Sequence, residues 1–284
     1  MVQGQLPNRK EVKIFSLPVL LNAGDPSKIS LDQPIDIALT LAMADLKARF
    51  IEVEKGVVHY RAIRGSEEFG RYKELTKSLG SFDLKSLPER NQRLAFWINI
   101  YNTAVIHGVI ELGLEKSVKE FSGFFNRVMY EIGSFRFSLN EMEHGILRGN
   151  RRHPYGLLKP FRRKDPRLEF AILPPDPRIH FALVCGARSC PPIGFYEADQ
   201  IDFQLQLAAK SFVNSPQVKI SPQERTVFIS RIFKWYKSDF GGSDSALIDF
   251  LLKFLDMGEQ TSFLQENRDS IRIRYQPYDW NLNE

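Results

Sequence analysis

Apolar residues recur at helical spacing soon after a polar start. From Leu31 to Val53, residues Ile35, Leu39, Ala42, Leu46 and Phe50 fall along one helix face, and Gly56 ends the pattern. Val57 to Ile63 alternates as a short strand would. Ser66 then starts a helix to about Leu79, closed by Gly80. Pro88 to Gly113 is the longest helical candidate, and its apolar residues from Leu94 to Ile110 lie on nearly every face, which predicts burial on most sides. Ser117 to Phe125 reads as a further short helix. Met129 to Ile132 and Ser134 to Phe137 flank Gly133 as a hairpin. Ser138-Leu-Asn-Glu141 has the form of a capping box, so a helix is expected from Leu139 to Leu147.

Further on, Ile179 to Val184 is a continuous apolar run broken only by His180, the pattern of a buried strand. Asp202 to Val213 is helical. Val218 to Ile220 and Thr226 to Ile229 read as strands, Ile232 to Phe240 and Ser243 to Leu255 as helices, and Ile271 to Tyr275 as a last strand. Helices and strands mix without regular alternation, which predicts an α+β fold with helices around a small, mainly antiparallel sheet. Residues 1–30 are expected to form a partly flexible arm, and residues 31–284 a single domain.

Composition sets the outer limits. With 284 residues, 43% of them hydrophobic and 22 of them Phe, the chain can build a sizeable Phe-rich core. No export signal or membrane-spanning run is visible, so the expected location is cytoplasmic. Two cysteines are too few for a disulfide scaffold, and in a reducing interior both are expected as thiols unless a metal or partner holds them. The net charge of +5 is uneven. Arg148, Arg151, Arg152, Lys159, Arg162, Arg163, Lys164 and Arg167 face one acid, Asp165, over residues 148–167. Such a run suits an acidic ligand or a lid, or is simply a solvated loop. No nucleic-acid motif, phosphate-cradling glycine loop or G-x-S-x-G accompanies it.

The segment from His180 to Cys190 holds both cysteines and is the strongest candidate for chemistry. As a strand it would place His180 and Cys185 on opposite faces, with Gly186 turning the chain after Cys185. A thiol becomes a nucleophile beside a histidine. His180 and His144 are the candidate bases for Cys185, and Glu141, one turn from His144, is a candidate to orient it. Asn99 and Asn102 share one helix face and serve either as orienting or oxyanion-binding groups, or as ties to neighbouring backbone. Trp97, Tyr101, Arg178, Arg188 and Cys190 complete the candidate site as ligand-binding residues. The plainer alternative is two buried thiols and a core histidine. A zinc site is not expected, because C-x4-C lies at the edge of structural spacing. No cofactor is expected.

Four ordered motifs, Leu94-Ala-Phe-Trp-Ile-Asn-Ile-Tyr-Asn102, Ser138-Leu-Asn-Glu-Met-Glu-His144, Asp176-Pro-Arg-Ile-His-Phe-Ala-Leu-Val-Cys185 and Ser189-Cys-Pro191, resemble the family catalogued as domain of unknown function 547, over about Phe69 to Val213. The closing Tyr278-Asp-Trp-Asn-Leu-Asn283 also has the look of that family. The resemblance implies no established reaction. Relatives that pair the module with glutaredoxin-like or DEP domains, or with coiled coils, hint at thiol chemistry or scaffolding. Three functions are therefore expected to compete. They are a cysteine-dependent hydrolase or acyl transferase, a non-catalytic binding module, and a redox protein using Cys185 and Cys190. The expected partner is a small molecule or peptide, acidic if the basic run binds it, with neither membrane nor nucleic acid expected.

Overall fold

A computed structural model of the chain describes residues 17–26, 33–52 and 55–284. The architecture is α+β, with three small sheets in place of one. In chain order the strands are β1 Val19–Leu20, β2 Ile51–Glu52, β3 Val57–Val58, β4 Val128–Ile132, β5 Phe135–Ser138, β6 Val218–Ser221, β7 Thr226–Ile229 and β8 Arg272–Tyr275. β1, β4 and β5 form one sheet, with β1 parallel to β4 and β4 antiparallel to β5. β2 and β3 form an antiparallel pair. β6 and β7 pair antiparallel, and β8 joins β7 in parallel. Most of the expected arm, residues 1–16 and 27–30, lies outside the described residues, as do residues 31–32 of the first expected helix. Residues 17–26 contribute β1.

The helix Arg90–Glu111 is the axis of the larger core. All residues from Leu94 to Ile110 are buried, as apolar positions on every face require. Trp97 packs edge-on to Phe96 and Phe137. A second core gathers Phe181 with Ala209, Phe212 and Val213 of the helix Ile201–Val213, the β6–β7–β8 sheet and the helix Asp244–Phe254. Burying these aromatic and branched side chains, each worth roughly 1.5–3 kcal/mol, is the main force holding both cores.

Four local expectations change. The strand over Val57 to Ile63 stops at Val58, and Tyr60–Arg64 is helical. The helix over Ser117 to Phe125 divides into a 3-10 turn, Val118–Glu120, and a short helix, Phe124–Arg127, at Gly123, whose φ is 74°. Ile232 to Phe240 likewise divides into Arg231–Trp235 and a 3-10 turn, Lys237–Phe240. The strand over Ile179 to Val184 is absent. Asp176 caps a 3-10 turn, Pro177–Phe181, by accepting from the Arg178 N–H at 2.9 Å, with Pro177 at its first position. An Asp-Pro start is a helix-start signal, and it overrides the apolar run that follows.

The segment after this turn is held from the long helix. Asn102 donates to the Ala182 carbonyl at 2.9 Å and accepts from the Val184 N–H at 2.9 Å, in a buried setting. Asn99 makes the same two-sided tie to Tyr196, at 2.8 and 3.0 Å. The two amides clamp residues 182–196 at both ends. Asn102→Ala strips partners from a buried carbonyl and a buried N–H, so a loss of roughly 2–4 kcal/mol is expected in urea unfolding. A loss below about 0.5 kcal/mol would mean that the loop is held elsewhere.

Candidate functional site

Between the two cores lies a cavity of about 130 Å³, whose lining includes Tyr101, Glu143, His144, His153, His180, Cys185, Cys190, Tyr236 and Tyr278. Its walls come from seven stretches of the chain. One is Glu141–Leu147, where the capping box forms as expected but the turns then widen to a π-helix. Arg148 N–H donates to Glu143 and Asn150 N–H to Gly145, each five residues back. Gly145 lies so close to the Phe161 ring that a side chain there would overlap it. Short π-helical insertions recur at functional sites. Here the widening accompanies inward-facing Glu143, His144 and Arg148, all buried.

Asp239 is the electrostatic anchor. Its buried carboxylate accepts from Arg148 Nε at 2.6 Å, Arg148 Nη2 at 3.0 Å, Arg151 Nη1 at 2.7 Å and His180 Nε2 at 2.9 Å. Burial pushes this carboxyl up, but the hydrogen bonds from His180 and Arg148 outweigh it, so the group stays ionised far below the usual carboxylate range. An ionised carboxylate only accepts, which puts the His180 proton on Nε2 and leaves the neutral ring a lone pair on Nδ1. That ring stacks on Tyr236 with centroids 3.8 Å apart. Burial holds the His180 pKa down against the pull of Asp239.

His144 sits in a complementary arrangement. Arg148 Nη1 lies 3.0 Å from its Nδ1, and since a guanidinium only donates, Nδ1 accepts and the neutral proton is on Nε2. Burial lowers the His144 pKa to about 4, despite Glu143. Glu143 is buried and accepts from Tyr236 Oη at 2.6 Å and Tyr101 Oη at 3.2 Å. Burial raises its pKa, but His144 and the Tyr236 hydrogen bond prevail and keep it ionised. Two carboxylates thus face two guanidiniums, Arg148 and Arg151, around two neutral imidazoles.

The cysteines stand across from this network. Gly186, with φ of 76°, and the turn that carries Cys190 N–H to the Ala187 carbonyl bring Cys190 back onto Cys185. The two are paired as a disulfide, with Cα atoms 6.3 Å apart, rather than standing as the separate thiols expected. Cys190 Sγ accepts from the Cys185 N–H at 2.9 Å. The Tyr278 hydroxyl lies 3.1 Å from Cys185 Sγ and 3.3 Å from Cys190 Sγ. Burial and then Glu143 raise the Tyr278 pKa, so this hydroxyl keeps its proton. The closing segment is laid along the cysteine loop by hydrogen bonds from Arg188 N–H to Asn281, Ser189 N–H to Asp279 and Asn283 N–H to Gly186. Trp235, Tyr278 and Trp280 form an aromatic cluster with centroids 4.8–5.7 Å apart.

Of the residues singled out in the sequence, His144, His180, Cys185, Cys190 and Tyr101 meet at the cavity. Asn99 and Asn102 clamp backbone instead of lining it. Glu141 does not orient His144, because its carboxylate is taken by Ser138 and by Arg167 at 3.0 Å. Trp97 is core. Arg178 pairs with Asp176 and Asp202, each at 2.7 Å. Arg188 is exposed beside an outer groove that Cys190 also borders. Glu143, Arg148, Tyr236, Asp239 and Tyr278 were not singled out. The Tyr278-Asp-Trp-Asn-Leu-Asn283 motif, the Ser138–His144 motif that contains Glu143 and the basic run that begins at Arg148 were the pointers to three of them. Among the described residues no cluster of His, Cys, Asp and Glu is suited to a metal, and no helix is long and apolar enough to cross a membrane.

The buried histidines set an acid limit on stability. His144, near 4, and His107, lowered to about 3 by burial, both titrate below the ordinary histidine value of about 6.5. Between those values the unfolded chain binds protons that the folded one does not, so stability is full above about pH 6.5 and declines as pH falls toward 4. Urea unfolding should show a loss of a few kcal/mol between about pH 7 and pH 4.5. A flat or rising profile would contradict the buried, neutral assignment.

Neither a curated protein nor a solved structure matches the chain. The asparagine-bearing part of the long helix, the π-helix, the basic run and the cysteine loop all fall inside one matched segment. Residues 84–213, a little under half of the chain, match the family described as "Protein of unknown function, DUF547".

Proposed function

We propose that the cavity is a thiol–disulfide exchange site using Cys185 and Cys190. The observation that carries this reading is the pairing of the two sulfurs under one shared donor, the Tyr278 hydroxyl. Cys190 is the better placed attacking thiolate, since its sulfur also receives the Cys185 N–H and borders the outer groove. In the reduced protein, Cys190 thiolate attacks one sulfur of a substrate disulfide. The substrate S–S bond breaks, one thiolate leaves and takes up a proton, and a mixed disulfide forms. Cys185, having given its proton to a cavity histidine, then attacks the Cys190 sulfur and expels the second substrate thiol. Two electrons pass from the protein dithiol to the substrate disulfide, and the reverse sequence oxidises a substrate dithiol. Tyr278 steadies the charge on whichever of the two cysteines is the thiolate. A cytoplasmic setting, as expected from the sequence, would supply thiols to reset the pair.

The test is mass spectrometry after incubation in glutathione buffers. The oxidised chain should weigh two hydrogens less than the reduced one. Cys185→Ser should retain a mixed disulfide at Cys190 that wild type resolves, and Tyr278→Phe should slow resolution roughly tenfold. Two freely alkylated thiols across the whole buffer range would end this reading.

A second reading, acyl transfer with Cys185 as nucleophile, is favoured by the oriented His180–Asp239 pair in the same cavity. It predicts that reduced protein turns over thioesters, with Cys185→Ser or His180→Ala lowering the rate at least about a hundredfold. Turnover that persists in the disulfide form would contradict it.

A further inference from the structure

The loop between Asn150 and Lys164 carries features that the thiol chemistry does not use. Its neck is pinned. The Asn150 amide donates to the Phe161 carbonyl and accepts from the Phe161 N–H, each at 3.0 Å, and the Phe161 ring is buried against Gly145. Arg148 Nη1 adds a hydrogen bond to the Arg152 carbonyl at 2.9 Å. Beyond this neck, Tyr155, Leu157 and Leu158 are 75%, 86% and 83% exposed. At that exposure the two leucines touch almost nothing of their own protein. They form a projecting tip, not the wall of a groove.

Along the loop and just past its neck lie Arg152, Lys159, Arg162, Arg163 and Lys164, all exposed, and none is in an ion pair among the described residues. Three acids of this region are already engaged. Asp165 is held by Arg167 at 2.9 Å, Glu141 by Arg167 at 3.0 Å, and Asp239 by Arg148 and Arg151.

We propose that this loop docks the protein onto an anionic lipid surface, with Leu157 and Leu158 inserted among the headgroups and the five cations set against them. A bilayer yields around an apolar tip and buries it, while its anionic headgroups neutralise these cations. A peptide or protein partner would have to bring a pocket shaped to the tip. A nucleic acid would satisfy the cations but give the leucines no apolar contact. The sequence expectation of no membrane partner rested on the lack of a spanning segment, which surface docking does not need. His153 and Tyr155 also line the site cavity, so docking brings the cavity to the lipid surface.

The test is cosedimentation of the full chain with phosphatidylcholine vesicles, with and without phosphatidylserine. Wild type should bind the anionic vesicles, and at least about tenfold less to neutral ones. Leu157→Ser with Leu158→Ser should lower binding to anionic vesicles roughly tenfold, with an unchanged melting temperature. Replacing Arg162, Arg163 and Lys164 by Ala should lower it on the order of a hundredfold. Wild type left in the supernatant with anionic vesicles would overturn the proposal, as would equal binding to neutral vesicles. Unchanged binding by the double leucine variant would also overturn it, leaving a purely electrostatic site for an acidic partner. Cysteine variants should bind as wild type does, so this result stands apart from the thiol reading.

Discussion

The structure around the cavity depends on one buried carboxylate. Asp239 lies outside the segment matched to the family, yet it holds Arg148, Arg151 and His180 from inside it. Burying these charges is tolerable only because they neutralise one another with good hydrogen-bond geometry. Breaking such a cluster by removing one member costs roughly 3–5 kcal/mol, through the uncompensated charge left behind. The same carboxylate fixes which His180 nitrogen carries the proton, and through Arg148 it also fixes the proton of His144. One side chain therefore sets both the joining of the two cores and the protonation of the cavity.

The other half of the site is built from neutral contacts. Asn102 and Asn99 hold residues 182–196 from the long helix, while the chain's last residues run along the cysteine loop from outside. Tyr278 arrives with that closing segment and, among the described residues, is the one hydroxyl in reach of both sulfurs. The cysteine pair is thus framed by a rigid helix on one side and a laid-on segment on the other. A two-state dithiol site needs this kind of support, because oxidation and reduction change the separation of the sulfurs without requiring the frame to move.

Much of this was legible in the sequence, for reasons that can be stated residue by residue. Apolar residues on all faces of Leu94 to Ile110 could only mean a buried helix, and Ser138 with Glu141 marked the start of the next one. The His180–Cys190 segment was identifiable as the place for chemistry because histidine and cysteine interrupt an otherwise apolar run. Its conformation differs from the strand pattern, because the Asp176-Pro177 cap outweighs the apolar run after it. Glu141 was a reasonable partner for His144 on an α-helix, but the π-helix brings Glu143 beside it instead. Asp239 and Tyr278 could not be placed, because nothing in their local sequence reports contacts 59 and 93 residues away.

The claim that the Cys185–Cys190 pair is a working redox couple is tested most directly by a fluorescence redox titration of the intact chain. Trp235 and Trp280 pack against Tyr278, beside the sulfurs, and should report the state of the pair. One reversible two-electron transition is expected, at a midpoint between roughly −300 and −180 mV, the span of cellular thiol buffers. That transition should be abolished in Cys190→Ser. A signal that never follows a two-electron curve, or that persists unchanged in Cys190→Ser, would contradict it.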